Sequence, residues 1–268
     1  SKMSKFPPIL FIGGGNMASA IFSGLLTSGV YIPQDVFVVT ASQSSADKLS
    51  TAYPGIVTTT DVLSVIEQTE IIVLSVKPHI VPVVLKQIDH IITPKHIVVS
   101  VAAGLTTDLL SNMLSVAKDV PIVRVMPNTP SLVRAGVSGV CGGKYATKEH
   151  IKTVDTIMSA VGTVVHVTEA QMDPLTGISG SGPAFVIQFI ESLAARGVVA
   201  GLPYPTAYTL AIQTVLGTAQ MVAQSDQHPA QLREAVCSAG GATIKGLNVL
   251  ENYKFKAGVM ECVQAVSN

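Results

Sequence analysis

The sequence carries little charge and no surplus of either sign. Asp, Glu, Lys and Arg make up 13% of its 268 residues, and 17 basic side chains balance 17 acidic ones. Nucleic-acid-binding proteins need a surplus of Lys and Arg to neutralise phosphates, so this balance argues against such a partner. An average soluble protein has about twice this charged fraction. We therefore expect part of the surface to be buried against further copies of the chain.

Cysteine and histidine are too few and too scattered for a disulfide framework or a metal site. Cys141, Cys237 and Cys262 are odd in number and show no CxxC spacing, and the six histidines show no HxxxH or HExxH spacing. These absences predict no metal and a reducing, cytoplasmic compartment. A GxSxG nucleophile elbow is missing as well, so hydrolase chemistry has no support.

Long hydrophobic runs are missing too. A membrane-spanning helix needs about 18 to 20 successive apolar residues. The best run, from Ile71 to Val84, is interrupted by Lys77, Pro78 and Pro82. Residues 1–8 lack the apolar centre of a signal peptide. The sequence therefore predicts a protein without a membrane partner.

Short apolar runs alternate with helix-length segments in the first two thirds of the chain. Clear helix patterns cover 16–28 and 147–160, and the predicted strands are 9–12, 36–40, 71–76, 96–101, 121–125, 137–141 and 163–167. Continuous apolar strands separated by helices predict a parallel sheet that is covered on both faces.

The last part of the chain has no strand pattern. Two long and almost wholly apolar helices are predicted, from Pro183 to Val199 and from Pro205 to Gln224. A helix that is apolar all round must be buried on every side. We therefore place a domain boundary after Thr168. An α/β domain covers 1–168, and an all-helical domain over 169–268 supplies the interface between copies.

A glycine pattern follows the first predicted strand. Gly13, Gly15 and Ala18 have the spacing G-x-G-x-x-A directly between a strand and a helix. There the first glycine allows a tight turn, the second lets the backbone approach a pyrophosphate, and the alanine lets helix and strand pack closely. The alternative is an ordinary tight turn. We favour a dinucleotide-binding site.

The end of the second strand indicates which dinucleotide fits. An NAD site carries Asp or Glu there, to accept hydrogen bonds from the ribose hydroxyls. This chain has Thr40-Ala41-Ser42-Gln43-Ser44-Ser45 followed by Lys48, whereas Asp35 lies before the strand. Hydroxyl groups and a lysine suit a ribose phosphate better, unless the segment is merely a solvated loop. We expect NADP(H) to be preferred, with NAD(H) as the second coenzyme.

Small residues end two later strands, at the edge where open parallel sheets bind ligands. They lie in Ser75-Val76-Lys77-Pro78 and in Ser100–Gly104. In the first segment Lys77 either faces the cofactor or points to solvent. In the second, the small residues either let the cofactor approach the backbone or allow close helix packing. The predicted cofactor-binding residues are Ile12, Gly13, Gly14, Gly15, Asn16, Met17, Ala18, Ser42, Ser75, Val76, Lys77, Pro78, Ala102 and Ala103.

Two glycine-serine segments remain, Gly177–Pro183 and Ser238–Thr243. Each is predicted to be a turn that opens a helix, where free backbone amides can hold a carboxylate. Helix capping and close helix approach explain each segment equally well on its own.

Together these segments resemble the pyrroline-5-carboxylate reductase family. The likeness covers nearly the whole chain, and its most specific stretches are Met126-Pro127-Asn128-Thr129-Pro130, Gly177–Ala184 and Gly240-Gly241-Ala242-Thr243. It implies an α/β Rossmann domain followed by an all-α dimerisation domain, with five dimers forming a decamer. It also implies hydride transfer from NAD(P)H to the C=N carbon of pyrroline-5-carboxylate, which gives L-proline.

The resemblance also implies roles for individual residues. Thr243 and Glu169 are the implied catalytic residues: the hydroxyl of Thr243 faces the ring nitrogen, and Glu169 lies near the site. Backbone amides of the loop hold the substrate carboxylate. The implied substrate-binding residues are Ser238, Gly240, Gly241, Ala242 and Thr243.

Two positions depart from the family's pattern. Relatives commonly have Pro where this chain has Ala239, and often Asn where it has Ala235. The change at Ala239 removes a fixed proline φ angle from the loop, and that at Ala235 removes a side-chain amide near the cofactor, so both bear on affinity and coenzyme preference more than on the reaction type. A related hydroxyacid dehydrogenase or imine reductase, and a non-catalytic NADP-binding protein, are the alternative functions.

Overall fold

A computed structural model describes residues 3–267 of the chain. The first part of the chain is built on one sheet of eight strands. The strands are β1 (Ile9–Ile12), β2 (Val36–Val39), β3 (Val57–Thr59), β4 (Ile71–Leu74), β5 (Ile97–Ser100), β6 (Ile122–Met126), β7 (Gly136–Gly142) and β8 (Gly162–His166). Their order across the sheet is β3-β2-β1-β4-β5-β6-β7-β8.

The centre of this sheet is buried on both faces. Along β1, Ile9 and Phe11 pack into one apolar layer, while Leu10 and Ile12 pack into the other. β1 pairs parallel with β2 and β4, and the parallel pairing continues through β5 to β6. The predicted α/β class is confirmed, and the short strand β3 at the sheet edge was missed.

The sheet is mixed rather than wholly parallel. β7 pairs antiparallel with β6, and β8 pairs parallel with β7. The connection between β6 and β7 holds a single 3₁₀ turn, Thr129–Val133, which is too short for the crossover that a parallel pair requires. β8 therefore runs in the opposite direction to β1 and β4. Its last residue, His166, pairs with Val140, which pairs with Val125, one residue beyond the level at which Ser100 ends β5.

Five helices accompany the sheet: α1 (Asn16–Thr27), α2 (Gln43–Ala52), α3 (Val81–Ile88), α4 (Thr107–Asn112) and α5 (Lys148–Ser159). The helices predicted over 16–28 and 147–160 are α1 and α5. Gly29 has φ +72° just after α1. That left-handed conformation is the one that ends a helix most readily at glycine.

One helical run of mixed type extends from Glu169 to Val199. It consists of a 3₁₀ turn (Glu169–Gln171), α6 (Met172–Leu175), a π turn (Thr176–Gly180) and α7 (Gly182–Val199). Ser181 already has helical φ and ψ of −96° and −23°. The prediction that Gly177–Pro183 is a turn with free amides at a helix start is therefore wrong. Pro183 cannot donate a helical hydrogen bond, and the wider π turn carries the chain past it.

The described chain forms two compact units, of which the first ends at Gly180 and the second begins at Ser181. α6 packs within the first unit. Met172 is fully buried, and the side chain of Leu175 occupies the space that a Cβ at Gly139 would need. The domain boundary predicted after Thr168 lies before this segment and stays a prediction.

The second unit is all-helical, as predicted. After α7 it contains α8 (Tyr204–Ala223), α9 (Pro229–Ala235), α10 (Ala242–Asn252) and α11 (Phe255–Val266). Its apolar cluster consists of Ala194, Ala207 and Ala211, which are small. Many larger apolar side chains stay exposed, among them Val186, Ile187, Leu193, Val199, Leu210, Ile212, Leu216, Val259 and Met260.

The run Glu169–Val199 is long and apolar enough, by length and composition, to span a membrane. The expectation that no stretch reaches this range is therefore wrong. Gln188, Glu191 and Arg196 interrupt the apolar residues of α7, but the helix is apolar enough on average. The same composition also fits a helix whose face is covered by another protein chain.

Candidate active site

The loop after β1 requires glycine at its first position. Gly13 has φ +105°, and a Cβ there would lie 2.6 Å from the carbonyl oxygen of Ser75. The hydroxyl of Ser75 lies 2.8 Å from the carbonyl oxygen of Gly13 and 3.1 Å from that of Ile12. This contact fixes the loop against the end of β4. Ser75 thus shapes the loop as well as lining the space in front of it.

The start of α1 leaves backbone amides free. Gly15 is the N-cap residue, and no side chain caps the helix. The amides of Asn16, Met17 and Ala18 therefore lack helical partners. A Cβ at Gly15 would touch nothing within 4 Å, so the space before the helix is open. Ala18 is 1% exposed and lets α1 lie close to the sheet. This arrangement fits a pyrophosphate at the positive end of the helix.

A cleft of about 670 Å³ opens in front of this loop. Of the predicted cofactor residues, Ile12, Gly13, Gly14, Gly15, Ser75, Val76 and Lys77 line it. The other predicted residues, Asn16, Met17, Ala18, Ser42, Pro78, Ala102 and Ala103, follow strands or open helices at the same sheet edge but lie outside this lining.

The sequence reading missed one side of the cleft. Besides Thr40, Ala41 and Ser45 of the polar segment after β2, the cleft is lined by residues that the sequence did not indicate, among them Thr60, Asp61, Val62, Leu63, Ile80, Val84 and Gln87. Several of them follow β3, a strand of three residues containing two threonines. A strand this short and polar gives almost no sequence pattern. The available signal was Asp61 itself, which caps the 3₁₀ turn that follows.

The start of α2 is well suited to an anion. Ser42 is its N-cap, and the Ser42 hydroxyl accepts a hydrogen bond from the amide of Ser45 at 3.2 Å. The two serine hydroxyl oxygens lie 3.0 Å apart. The first turn contains no acidic residue, and the helix dipole favours negative charge there.

Glu169 follows β8 and contacts Arg124, which pairs with Ser100 at the end of β5. Its Oε2 accepts a hydrogen bond from Arg124 at 2.7 Å, and its Oε1 accepts one from the amide of Thr107 at 2.8 Å. Burial alone raises the pKa of Glu169, but the bonds from Thr107 and Arg124 outweigh it and hold the pKa below its usual range. Arg124 is 5% exposed. An ionised carboxylate that compensates a buried guanidinium is poorly placed to donate a proton.

The loop predicted to hold the substrate is a tight turn followed by an uncapped helix. The amide of Gly241 donates to the carbonyl of Ser238 at 3.0 Å, and Gly240 has φ +70°. Such a turn needs glycine at its third position and favours Pro at its second, where Ala239 stands. Gly241 is the N-cap of α10, and no side chain caps that helix. The amides of Ala242 and Thr243 are therefore free.

Other reactive groups supply no competing site. Burial and the charge of Glu169 raise the pKa of the Cys141 thiol, although Arg124 opposes them. A raised pKa makes the thiol a poor nucleophile. No group of three or more potential metal ligands occurs among residues 3–267.

Comparison with known proteins identifies the family. Residues 169–268 match the family model described as pyrroline-5-carboxylate reductase dimerisation, and residues 8–104 match that described as NADP oxidoreductase coenzyme F420-dependent. The pyrroline-5-carboxylate reductase of Escherichia coli is 39% identical over 253 residues, which cover 94% of this chain and 93% of that protein. The chain belongs to the pyrroline-5-carboxylate reductase family.

Solved pyrroline-5-carboxylate reductases have the same fold. The structure from Coxiella burnetii matches with a TM-score of 0.90 at 36% identity, covering 98% of this chain and 96% of that one. The Plasmodium falciparum enzyme, solved with NADP bound, matches with a TM-score of 0.86 at 33% identity, covering 98% and 97%. The resemblance drawn from the sequence is confirmed, as is the Rossmann domain followed by helices. The dimerisation match agrees with the exposed apolar faces of α7 and α8, and this reductase self-associates.

Proposed function

We propose that the chain reduces pyrroline-5-carboxylate to L-proline with NADPH, and that it also accepts NADH. One observation carries the proposal. Two helices, α1 and α10, begin with uncapped amides in a chain that aligns over nearly its full length with pyrroline-5-carboxylate reductases. One helix start suits a pyrophosphate, and the other suits the carboxylate of a small substrate.

The cofactor is held at the sheet edge formed by β1, β2 and β4. The amides of α1 hold the pyrophosphate, and the start of α2 with Ser42 and Ser45 holds a ribose phosphate. Lys77, Pro78, Ala102 and Ala103 follow β4 and β5 and would border the nicotinamide half of the bound cofactor. When bound, the reduced nicotinamide supplies the hydride. The NADP seen in the Plasmodium falciparum relative supports this coenzyme.

The substrate carboxylate rests on the turn Ser238–Gly241 and the first amides of α10. These donors are neutral, so they orient the ring without adding a charged side chain. A protonated imine is already electrophilic, and alignment of two bound partners lowers a barrier by several kcal/mol. The site therefore needs little acid-base chemistry beyond orienting the nitrogen.

The hydroxyl of Thr243 performs that orientation. Thr243 lies in the first turn of α10 and is exposed. Its hydroxyl forms no hydrogen bond with any of residues 3–267, so it is available to the imine nitrogen. The loop that holds the carboxylate thus places a hydroxyl less than one ring away. Protonation of the product nitrogen comes from this hydroxyl or from water.

Thr243→Val tests this role. The substitution keeps the β-branched shape and deletes the hydroxyl. We expect kcat/KM for pyrroline-5-carboxylate to fall by roughly 10- to 1,000-fold, the loss typical of one preorganised donor. NADPH affinity and thermal stability stay near those of the unmodified enzyme, and Thr243→Ser restores most of the activity. Oxidation of NADPH followed at saturating coenzyme measures the effect, and near-normal kcat/KM for Thr243→Val would contradict it.

The same assay tests the proposed activity itself. An enzyme that fails to reduce the imino acid would be one of the related dehydrogenases or reductases if it reduces another imine with NADPH, or if it forms NADPH from NADP⁺ and a hydroxyacid. Binding without turnover on any of these substrates would indicate a non-catalytic NADP-binding protein.

The dimer is proposed to assemble further, five dimers forming a decamer. The exposed apolar side chains of the second unit support a large interface between copies, and a mass measurement in solution tests the number of copies.

A cytoplasmic location is proposed on the ground that Cys141, Cys237 and Cys262 are all free thiols, as expected in a reducing compartment.

A further inference from the structure

Asp61 stands out in the cofactor cleft. Among the cleft-lining residues of the described chain it supplies the one carboxylate, and Lys77 supplies the one cation. Its side chain is exposed, and it lies at the end of β3 rather than of β2. No role has been given to it in the function proposed above.

The sheet places Asp61 beside the end of β2. Val39 pairs with Thr59, and the amide of Thr40 donates to the carbonyl of Thr59 at 2.9 Å. The pairing brings Ala41 and Asp61 to the same level of two neighbouring strands, which lie about 5 Å apart. The acid that the sequence lacks at the end of β2 is therefore present one strand away.

The Asp61 carboxylate is held in a fixed orientation. Its Oδ1 accepts a hydrogen bond from the amide of Leu63 at 3.0 Å, which caps the 3₁₀ turn Val62–Ser64. The amide of Asp61 donates to the hydroxyl of Thr59 at 3.1 Å. No further hydrogen bond to this carboxylate is made by residues 3–267. One carboxylate oxygen thus remains free to accept a hydrogen bond at the rim of the cleft.

We propose that Asp61 accepts a hydrogen bond from the adenosine ribose of the coenzyme and thereby sets how strongly NADPH is preferred over NADH. The proposal rests on the proposed dinucleotide-dependent function. A ribose 2′-hydroxyl donates to the carboxylate, whereas a 2′-phosphate is repelled by it. The start of α2 attracts the phosphate and Asp61 opposes it. Specificity arises from an attractive and a repulsive element together.

Asp61→Asn separates the two effects with little risk to the fold. Asn is as good a cap as Asp, so the turn Val62–Ser64 is kept while the charge is lost. Glu67→Gln is the matched control, because Glu67 is an exposed acid in the next 3₁₀ turn and lies outside the cleft lining. The probes are ADP-ribose and ADP-ribose 2′-phosphate, with binding measured by calorimetry at one ionic strength.

We expect the Kd of ADP-ribose to rise about 10-fold in Asp61→Asn, the effect of losing a hydrogen bond to a charged acceptor. The Kd of ADP-ribose 2′-phosphate stays constant or falls, so the ratio of the two dissociation constants shifts by about 10-fold or more. The ratio of kcat/KM for NADPH over NADH rises in parallel. Glu67→Gln changes neither ratio.

A ratio of dissociation constants within about twofold of the unmodified chain would overturn the role of Asp61. If the ratio shifts as expected but the unmodified chain does not reduce pyrroline-5-carboxylate, the reaction proposed above fails and the role of Asp61 stands. If the unmodified chain binds neither probe, the cofactor assignment and the role of Asp61 fail together.

Discussion

Glu169→Gln tests whether this carboxylate stabilises the fold or takes part in catalysis. The substitution removes the charge that faces Arg124, whereas the amide oxygen of Gln can still accept from the backbone amide of Thr107. The effect is thus confined to the ion pair. The burial of Arg124 supports a stabilising role, because its guanidinium forms a salt bridge with Glu169.

The expected cost follows from the burial of the two partners. Removing one partner of a buried ion pair leaves an uncompensated charge and costs about 3 to 5 kcal/mol. The Arg124 side chain is 5% exposed, but that of Glu169 is 32% exposed. Water therefore screens part of the loss, and we expect about 3 kcal/mol, the lower end of that range. A loss of this size lowers the Tm of a unit of this length by about 6 to 12 °C.

The pH dependence has a definite sign. The pKa of Glu169 is lowered in the folded protein, so the ion pair stabilises the fold above the ordinary pKa of 4.5 and is lost as the pH falls below it. A protonated Glu169 is neutral, as Gln is. The difference in stability between the unmodified enzyme and Glu169→Gln should therefore stay nearly constant from pH 7 to about 5 and shrink as the pH falls below 4.5.

Thermal melts from pH 7 down to about 3, which spans the range below the ordinary pKa, together with kcat/KM at a temperature well below both melting points, check this reasoning. Glu67→Gln serves as the control for the loss of one exposed acidic charge. We expect kcat/KM of Glu169→Gln within about threefold of the unmodified enzyme, since no transition-state contact is removed. A large loss of kcat with an unchanged Tm would refute the structural role and establish the catalytic one that the resemblance implied.

Two further predictions concern stability and assembly. Asp89 is 5% exposed and accepts hydrogen bonds from the amides of Ser115, Val116 and Ala117. Burial alone would raise the pKa of Asp89. The hydrogen bonds outweigh burial and lower this pKa from 3.8 to about 2. Asp89→Asn should therefore cost about 1 to 3 kcal/mol at pH 7, and in denaturant melts this deficit should diminish as the pH falls from about 4 toward 2. Leu216 is 49% exposed on α8, and we expect it to lie in the interface between copies, where a lysine is not tolerated. Sedimentation of Leu216→Lys should therefore show dissociation or unfolding. An unchanged oligomer would place the interface elsewhere.

The sequence alone determined the strands, turns and helices whose form depends on neighbouring residues. The run Ile9–Ile12, the glycines after it and the periodic helix α1 are all set by neighbouring residues, so they could be read in order along the chain. The uncapped loop before α10 was found for the same reason, since glycine and serine directly before a helix pattern mark its start. The family followed from segments of this kind.

Tertiary structure alone decided which distant residues meet. The antiparallel β7 and its neighbour β8 bring Glu169 into contact with Arg124, 45 residues earlier in the chain, and no local pattern encodes that contact. Asp61 reaches the cofactor cleft because β3, too short to be predicted, pairs beside β2. Gly177–Pro183 has the composition of a turn, yet its first part lies in the π turn Thr176–Gly180 and its last two residues belong to α7. Local propensities are worth a kcal/mol or less per residue, so pairing and burial between distant segments override them.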